Sequence, residues 1–165
     1  MSEALVIAVA GLSALIVLCV ILLVARDRVA KIVWRIKNPP EKLAAQRAAF
    51  EHRLRTPDWQ FYAEHLQRPV PISLPAAYAK PGLITKAHVF GDYYVTFAPI
   101  DRKTLTEAWV LPGVVAFAES DGDPIFLKVG ASASDSVFIA YHDGGGTEEL
   151  APSVEAFLSE LRDAA

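Results

Sequence analysis

Hydrophobic positions are distributed unevenly along the chain. Residues 4–25 form an apolar run of 22 residues with no charge and no proline. As a helix rising about 1.5 Å per residue, such a run would be about 33 Å long, enough to cross a hydrocarbon core of ~30 Å. The pattern therefore predicts a single transmembrane helix at about 4–25. The small residues Ala4, Ala8 and Gly11 also leave dimerisation through this helix open.

A cleaved signal peptide is the alternative for this run. Met1-Ser2-Glu3 before it lacks Lys and Arg, and the run is longer than the apolar part of a signal peptide, so we favour a retained span. Because the basic residues follow the span, we expect a single-pass protein of the inner (plasma) membrane, with the N-terminus outside and a cytoplasmic C-terminal domain. The predicted membrane-interface residues are Arg26, Arg28, Lys31, Trp34, Arg35 and Lys37.

The spacing of apolar residues changes twice beyond this run. Glu41–Arg55 is predicted as a helix with a thin apolar face, and apolar residues at i, i+3, i+4 and i+7 predict a helix from Trp59 to Leu66. From Leu83 onward, segments rich in Val, Ile, Phe and Tyr between Gly, Asp or Pro predict strands. The candidate strands are Leu83–Phe90, Tyr93–Ile100, Ala108–Ala118, Pro124–Val129 and Ser136–Tyr141.

The connections between these segments predict the fold class. They are too short for helical crossovers, so the strands should form antiparallel hairpins. Pro112 should split the third strand or place it at an edge. Prolines predict an extended loop over 69–75, and the three glycines at 144–146 predict a flexible loop. Apolar residues that recur with the 3.6-residue period of a helix predict a closing helix from Pro152 to Leu161.

We therefore predict an α+β protein in which a single N-terminal transmembrane helix precedes an antiparallel sheet flanked by helices. The predicted parts are an N-terminal segment over 1–25, a basic juxtamembrane stalk or helix over 26–55, and the α+β domain over 56–165.

Charge divides the chain into two unlike parts. Residues 26–55 contain nine Lys or Arg against three Asp or Glu, a net charge of +6, whereas residues 56–165 carry seven against fifteen, a net charge of −8. The basic part suits an anionic lipid bilayer, and the acidic part argues against nucleic acid. The asymmetry favours a basic protein as partner of the distal domain, although an ordinary acidic surface would look the same.

The search for catalytic or metal-binding motifs finds little. The chain has one Cys and four His, no pair of which has zinc-binding helical spacing. Asp121-Gly122-Asp123 lacks the rest of a calcium loop and predicts a hairpin turn, and His142-Asp143 before three glycines also predicts a turn. We expect no enzyme activity, cofactor or metal. A hydrolase with a dispersed site at His142 and Asp143 stays as a minor alternative.

Three motifs in order resemble the SUKH superfamily, the Smi/Knr-type regulators and their bacterial relatives, over Asp58 to Leu161. Asp58-Trp59 with Leu74-Pro75-Ala76-Ala77-Tyr78 is similar to the opening of that family, and Val115–Leu127 is similar to its strand–turn–strand segment. His142-Asp143-Gly144 followed by Leu150–Leu158 is similar to its closing helix. The resemblance implies an α+β binding domain without a catalytic site, and many bacterial members are immunity proteins that neutralise a toxin.

These observations predict a membrane-anchored cytoplasmic protein-binding domain, in the immunity case one that neutralises a toxin by occlusion. The alternative is a small structural subunit or assembly factor of a membrane protein complex. Exposed loops of the sheet and the edge around Pro112 are the expected contact elements. The candidate partner-binding residues are Glu119, Asp121, Asp123, His142, Asp143, Glu148 and Glu149.

Overall fold

The structure is a computed structural model that describes residues 23, 25–26, 28–107, 112–130 and 133–164. The chain separates into two compact units, Met1–Gln46 and Arg47–Ala165. In the first unit, residues 28–37 are helical (α1) and their side chains are exposed. Helix α2, Pro40–Arg55, begins in the first unit and ends in the second.

The predicted fold class is wrong as stated, because it joined the α+β domain to a transmembrane helix. None of the helices in the described ranges combines the length and the apolar character needed to cross a bilayer. Helix α2 illustrates the physical reason, since it has only 16 residues and six of them are Glu, Lys or Arg. The run that carried the prediction, residues 4–25, lies outside the described residues apart from Leu23 and Ala25.

The second unit is an α+β domain built on one antiparallel sheet that curls into a half-barrel. The sheet has seven strands in the order β6-β5-β4-β3-β2-β1-β7. The strands are β1 His88–Phe90, β2 Tyr93–Phe97, β3 Val114–Ser120, β4 Asp123–Lys128, β5 Val137–Tyr141, β6 Gly146–Ala151 and β7 Arg162–Asp163. The further helices are α3 Trp59–Leu66, α4 Ser73–Tyr78, α5 Pro81–Ile84, α6 Arg102–Glu107 and α7 Val154–Glu160.

Helices cover one face of the sheet and bury its alternate residues. Tyr62 of α3, Tyr78 of α4 and Phe157 of α7 belong to a single core with the side chains of β2 to β5 that point to that face. The Tyr78 hydroxyl donates to the carbonyl oxygens of Ala98 at 2.5 Å and Phe117 at 2.8 Å, which fastens α4 to β3 and to the end of β2. Burying these rings contributes to the stability of the domain.

The motif residues Trp59 and Tyr78 therefore have a structural explanation. Their rings meet edge to face, 5.2 Å apart, and Trp59 also contacts Tyr62 in the same way. Asp58 caps α3 by accepting a hydrogen bond from the Phe61 backbone N–H at 3.0 Å. This part of the resemblance coincides with residues that hold helices on the sheet.

Several predicted strands and loops have different limits in the structure. Leu83 belongs to α5 because Pro81 occupies the first helical turn, so the strand starts only at His88. Helix α4 begins inside the predicted proline-rich loop and ends beyond it, and α6 has no counterpart among the predictions. The segment after the glycines is strand β6 rather than a flexible loop, because its backbone pairs with β5.

The third predicted strand is also displaced. It was expected at Ala108–Ala118 and lies at Val114–Ser120, with residues 108–111 outside the described part. Pro112 lies in a turn before the strand, where no ladder hydrogen bond is required of it. Strand β3 is consequently not an edge, since β2 and β4 flank it.

Candidate interaction surface

Three hairpin turns lie at the same end of the sheet. The connections β1–β2, β3–β4 and β5–β6 each join neighbouring antiparallel strands, so all three turns come at one end and the β4–β5 connection at the other. We call residues 91–92, 119–123 and 141–149 the hairpin end. Pro112 precedes β3 and therefore lies at the opposite end.

The hairpin end is uniformly acidic. Its three segments contain no Lys or Arg and a single His, while seven carboxylates line them, most on exposed residues. The acidic residues are Asp92, Glu119, Asp121, Asp123, Asp143, Glu148 and Glu149. The structure thus brings five of the predicted partner-binding residues to one end of one sheet, and adds Asp92 to them. Glu148 and Glu149 lie further along β6, paired with Ile139 and Phe138 of β5.

The β3–β4 turn has a defined conformation. Asp121 and Gly122 both have positive φ angles, 51° and 91°, which suits the twist of a tight antiparallel hairpin. Both residues are exposed. The Asp121 carboxylate is therefore presented to solvent from a two-residue turn that is closed by the pairing of Ser120 with Asp123.

Asp123 and His142 form a pair between the first residue of β4 and the turn after β5. Asp123 accepts hydrogen bonds from the His142 backbone N–H at 2.8 Å and from its ring Nδ1 at 2.5 Å. The hydrogen bond to Asp123 raises the pKa of His142, and the negative charges of Asp123 and Asp143 add to this rise. Burial opposes ionisation of Asp123, but the hydrogen bonds from His142 outweigh it and lower the pKa of that carboxyl.

A tyrosine pair next to this ion pair depends on the curl of the sheet. The hydroxyls of Tyr93 on β2 and Tyr141 on β5 lie 2.7 Å apart although two strands separate them. Glu148 accepts from the Tyr141 hydroxyl at 2.6 Å and from the Tyr93 hydroxyl at 3.2 Å. The bond to Glu148 is the main cause that raises the pKa of Tyr141, so the Tyr141 hydroxyl stays protonated and serves as a donor.

The remaining predicted residues have weaker local contacts. Glu119 accepts from the Thr96 hydroxyl at 3.4 Å, and Asp143 accepts from the Gly145 backbone N–H at 3.1 Å within its own turn. Glu149 is exposed on β6. These carboxylates are available to a partner, whereas Asp123 and Glu148 are held by neighbours.

Sequence reasoning missed Asp92, Tyr93 and Tyr141 as members of this site. Gly91-Asp92 marks a turn, and that signal predicts Asp92 at a hairpin but not at the same end as the others. Tyr93 and Tyr141 were predicted as members of two candidate strands, and the three-dimensional curl of the sheet brings their hydroxyls together.

The predicted membrane-interface residues belong to the first unit. All six are exposed, and Trp34 lies among exposed apolar residues of α1. Nothing in the structure tests contact with lipid, so this assignment and the cellular location stay predictions. The six residues are Arg26, Arg28, Lys31, Trp34, Arg35 and Lys37.

A second surface feature of the domain is an open groove of about 750 Å³. Ile72, 89% exposed, and Glu155 line it, and so does Arg68, whose guanidinium pairs with Asp135. The Arg68 side chain is only 10% exposed, and its Nε lacks a hydrogen-bond partner. This cation is neutralised by Asp135 and serves to join two loops.

In the described ranges, no group of three or more His, Cys, Asp or Glu side chains is arranged to hold a metal ion. The resemblance to the SUKH superfamily depends on the three motifs alone and stays a prediction. Comparisons with known proteins found no matching family model, no matching curated protein and no matching solved structure.

Proposed function

We propose that this protein binds a basic protein partner through the hairpin end. The observation that carries the proposal is the gathering of seven carboxylates, without a Lys or Arg, in the three segments of the hairpin end. Asp92, Asp121 and Asp143 lie on the turns, and the other four lie on the strands that the turns join. A surface of one charge accelerates encounter with an oppositely charged partner and disfavours acidic ones. Because hydrogen bonds already hold these turns in place, binding would order them at a lower cost in conformational entropy.

The tyrosine pair supplies apolar contact area, which the carboxylates alone do not. Tyr93 and Tyr141 are partly exposed at the hairpin end and add apolar area with fixed hydroxyls. Tyrosine is enriched among residues that dominate binding energy, and rim carboxylates mainly affect the association rate. We therefore assign affinity to the tyrosines and steering to Asp92, Asp121 and Asp143.

The resemblance to SUKH proteins suggests a narrower form of this proposal. In that form the partner is a toxin, and the domain neutralises it by covering its active surface. Occlusion needs only a rigid complementary surface, so it requires no catalytic residue in this chain. The general proposal of a basic protein partner does not depend on this narrower form.

Site-specific photocrosslinking in the full chain tests the proposal. A photoreactive amino acid replaces Asp92 at the hairpin end or, as the reference, the exposed Pro112 at the opposite end of the sheet. We expect a crosslink to a basic protein from position 92 and none from position 112. Raising the salt concentration from about 50 to 500 mM should weaken this crosslink, because exposed charges are screened.

Charge reversal supplies the matched control. Asp121→Lys with Asp143→Lys should reduce the crosslink from position 92 about tenfold or more. The same change in charge at the exposed Glu155 and Glu160 of α7 should leave it unaltered. Equal crosslinking from positions 92 and 112, or equal loss in both pairs of variants, would show that the hairpin end is not the binding surface.

A further inference from the structure

The two edges of the sheet differ in their capacity to accept another strand. Strand β7 has two residues, too few to template a partner strand. Strand β6 has six residues, and in the described structure it pairs only with β5. Residues 146–149 are exposed, so β6 is the long open edge of the described sheet.

We propose that the basic partner docks by adding an extended segment to the outer edge of β6, with two adjacent Lys or Arg residues opposite Glu148 and Glu149. This inference deepens the proposed function and rests on it. An unpaired edge offers a row of backbone donors and acceptors to any extended chain. The side chains of β6 then determine which chain is accepted.

The two glutamates of β6 favour an added strand that carries a basic residue on each of its two faces. Adjacent residues of a strand point to opposite faces. Glu148 pairs with Ile139 and reaches Tyr141 on the helix-covered face, and Glu149 pairs with Phe138 on the other face. Two consecutive basic residues in an added strand would therefore each meet one glutamate.

A second copy of this chain is a poorer occupant. Two β6 strands paired side by side would bring Glu148 and Glu149 of one chain close to those of the other. Like charges placed across strands are destabilising, and glutamates on an edge protect natural sheets from self-association. The edge is thus selective for an opposite charge rather than open to any strand.

The irregularity of the ladder limits the length of the added segment. The β5–β6 register is regular from Tyr141–Gly146 to Phe138–Glu149, and it shifts between Val137 and Phe138. A bulge bends its strand and interrupts pairing. The usable edge is therefore residues 146–149, which fits a contact of about four residues reinforced by the neighbouring turns.

Peptide binding to the isotope-labelled full chain tests this inference. The probe is the capped hexapeptide Val-Thr-Lys-Lys-Thr-Val, and its control is the same peptide with both lysines N-methylated on the backbone. The control keeps the charge and side chains but loses two backbone donors. We expect the probe to slow amide hydrogen exchange at those of β6 residues 147–149 whose N–H points away from β5, and the control to bind at least fivefold more weakly.

Variants and alternative outcomes complete the design. Glu149→Lys should weaken binding of the probe at least fivefold, and Glu155→Lys in the groove should not change it. Equal binding of both peptides, without protection at 147–149, would overturn strand addition while leaving basic recognition by the hairpin end intact. Loss of binding on Glu155→Lys would instead assign the site to the groove. Failure of both peptides to bind would also overturn strand addition, and the photocrosslinking result would still decide the proposed function.

Discussion

The His142 side chain shows how single contacts determine what the hairpin end presents. Its ring is exposed, yet two hydrogen bonds tie the residue to Asp123. His142 thereby partly neutralises the charge of Asp123, unlike the charges of several neighbouring carboxylates. The ionisation of one residue pair consequently modulates the charge that a partner meets.

Asp123→Asn should lower the pKa of His142 towards the ordinary value of about 6.5. Asparagine keeps an oxygen that can accept the backbone N–H, but it removes the negative charge. Titration of the histidine ring by NMR measures this change. Asp143→Asn should lower the pKa less, because Asp143 acts on His142 only through space.

The stability consequence has a defined pH window. The raised pKa of His142 means that the pair stabilises the fold fully below about pH 6.5, and that this contribution is lost as pH rises through the folded-state pKa. The lowered pKa of Asp123 means that the contribution is also lost as pH falls below about 4. Wild type and Asp123→Asn should differ most between these limits. A difference independent of pH would contradict the ion pair.

At the scale of elements, the candidate site depends on turns and an edge strand more than on the central strands. The central strands are buried on both faces along most of their length, whereas the hairpin turns, the strand ends next to them and the edge strand β6 carry the candidate site. The β3–β4 turn needs two consecutive residues with positive φ. Its sequence, Asp121-Gly122, is a known signal for such a turn.

Gly122→Ala should destabilise the domain by about 1 kcal/mol or more, because φ at this position is +91° and alanine adopts such values at a cost. Gly82→Ala is the matched control, since Gly82 lies in α5 without a positive φ and with open space around an added Cβ. That substitution should be neutral or slightly stabilising. Denaturant unfolding compares the two, and equal effects would contradict the assigned turn.

The same elements show what the sequence could and could not predict. The hairpin turns followed from Gly and Asp between apolar runs, and α3 followed from its apolar spacing. Strand β6 was missed because Gly-Thr-Glu-Glu lacks the apolar alternation of a half-buried strand, as an exposed edge permits. The contact between Tyr93 and Tyr141 was beyond prediction, since it depends on the curl of four strands together.

Charge is the dominant property at the scale of the whole molecule. Residues 56–165 have a net charge of −8, and the hairpin end concentrates seven of their carboxylates. Like charges gathered in one place repel one another and oppose folding. Retaining this acidic surface for binding would therefore lower the stability of the domain.

Asp121→Asn should raise the melting temperature by about 1 °C at low ionic strength, because it removes one repelling charge and asparagine tolerates positive φ. The gain should shrink in about 0.5 M salt, which screens the repulsion. Calorimetry at both salt concentrations measures it. A gain that is insensitive to salt would mean that repulsion is not the cause.

The position of β7 also has a consequence for the order in which the domain folds. The hairpins β3–β4 and β5–β6 join near neighbours in sequence and can form early, but β1 pairs with β7, whose residues come more than seventy positions later. Until β7 arrives, the edge of β1 stays open in a partly folded chain. Unpaired strand edges of this kind make partly folded chains prone to aggregation. Synthesis of Arg162 and Asp163 therefore ends the period in which β1 exposes such an edge.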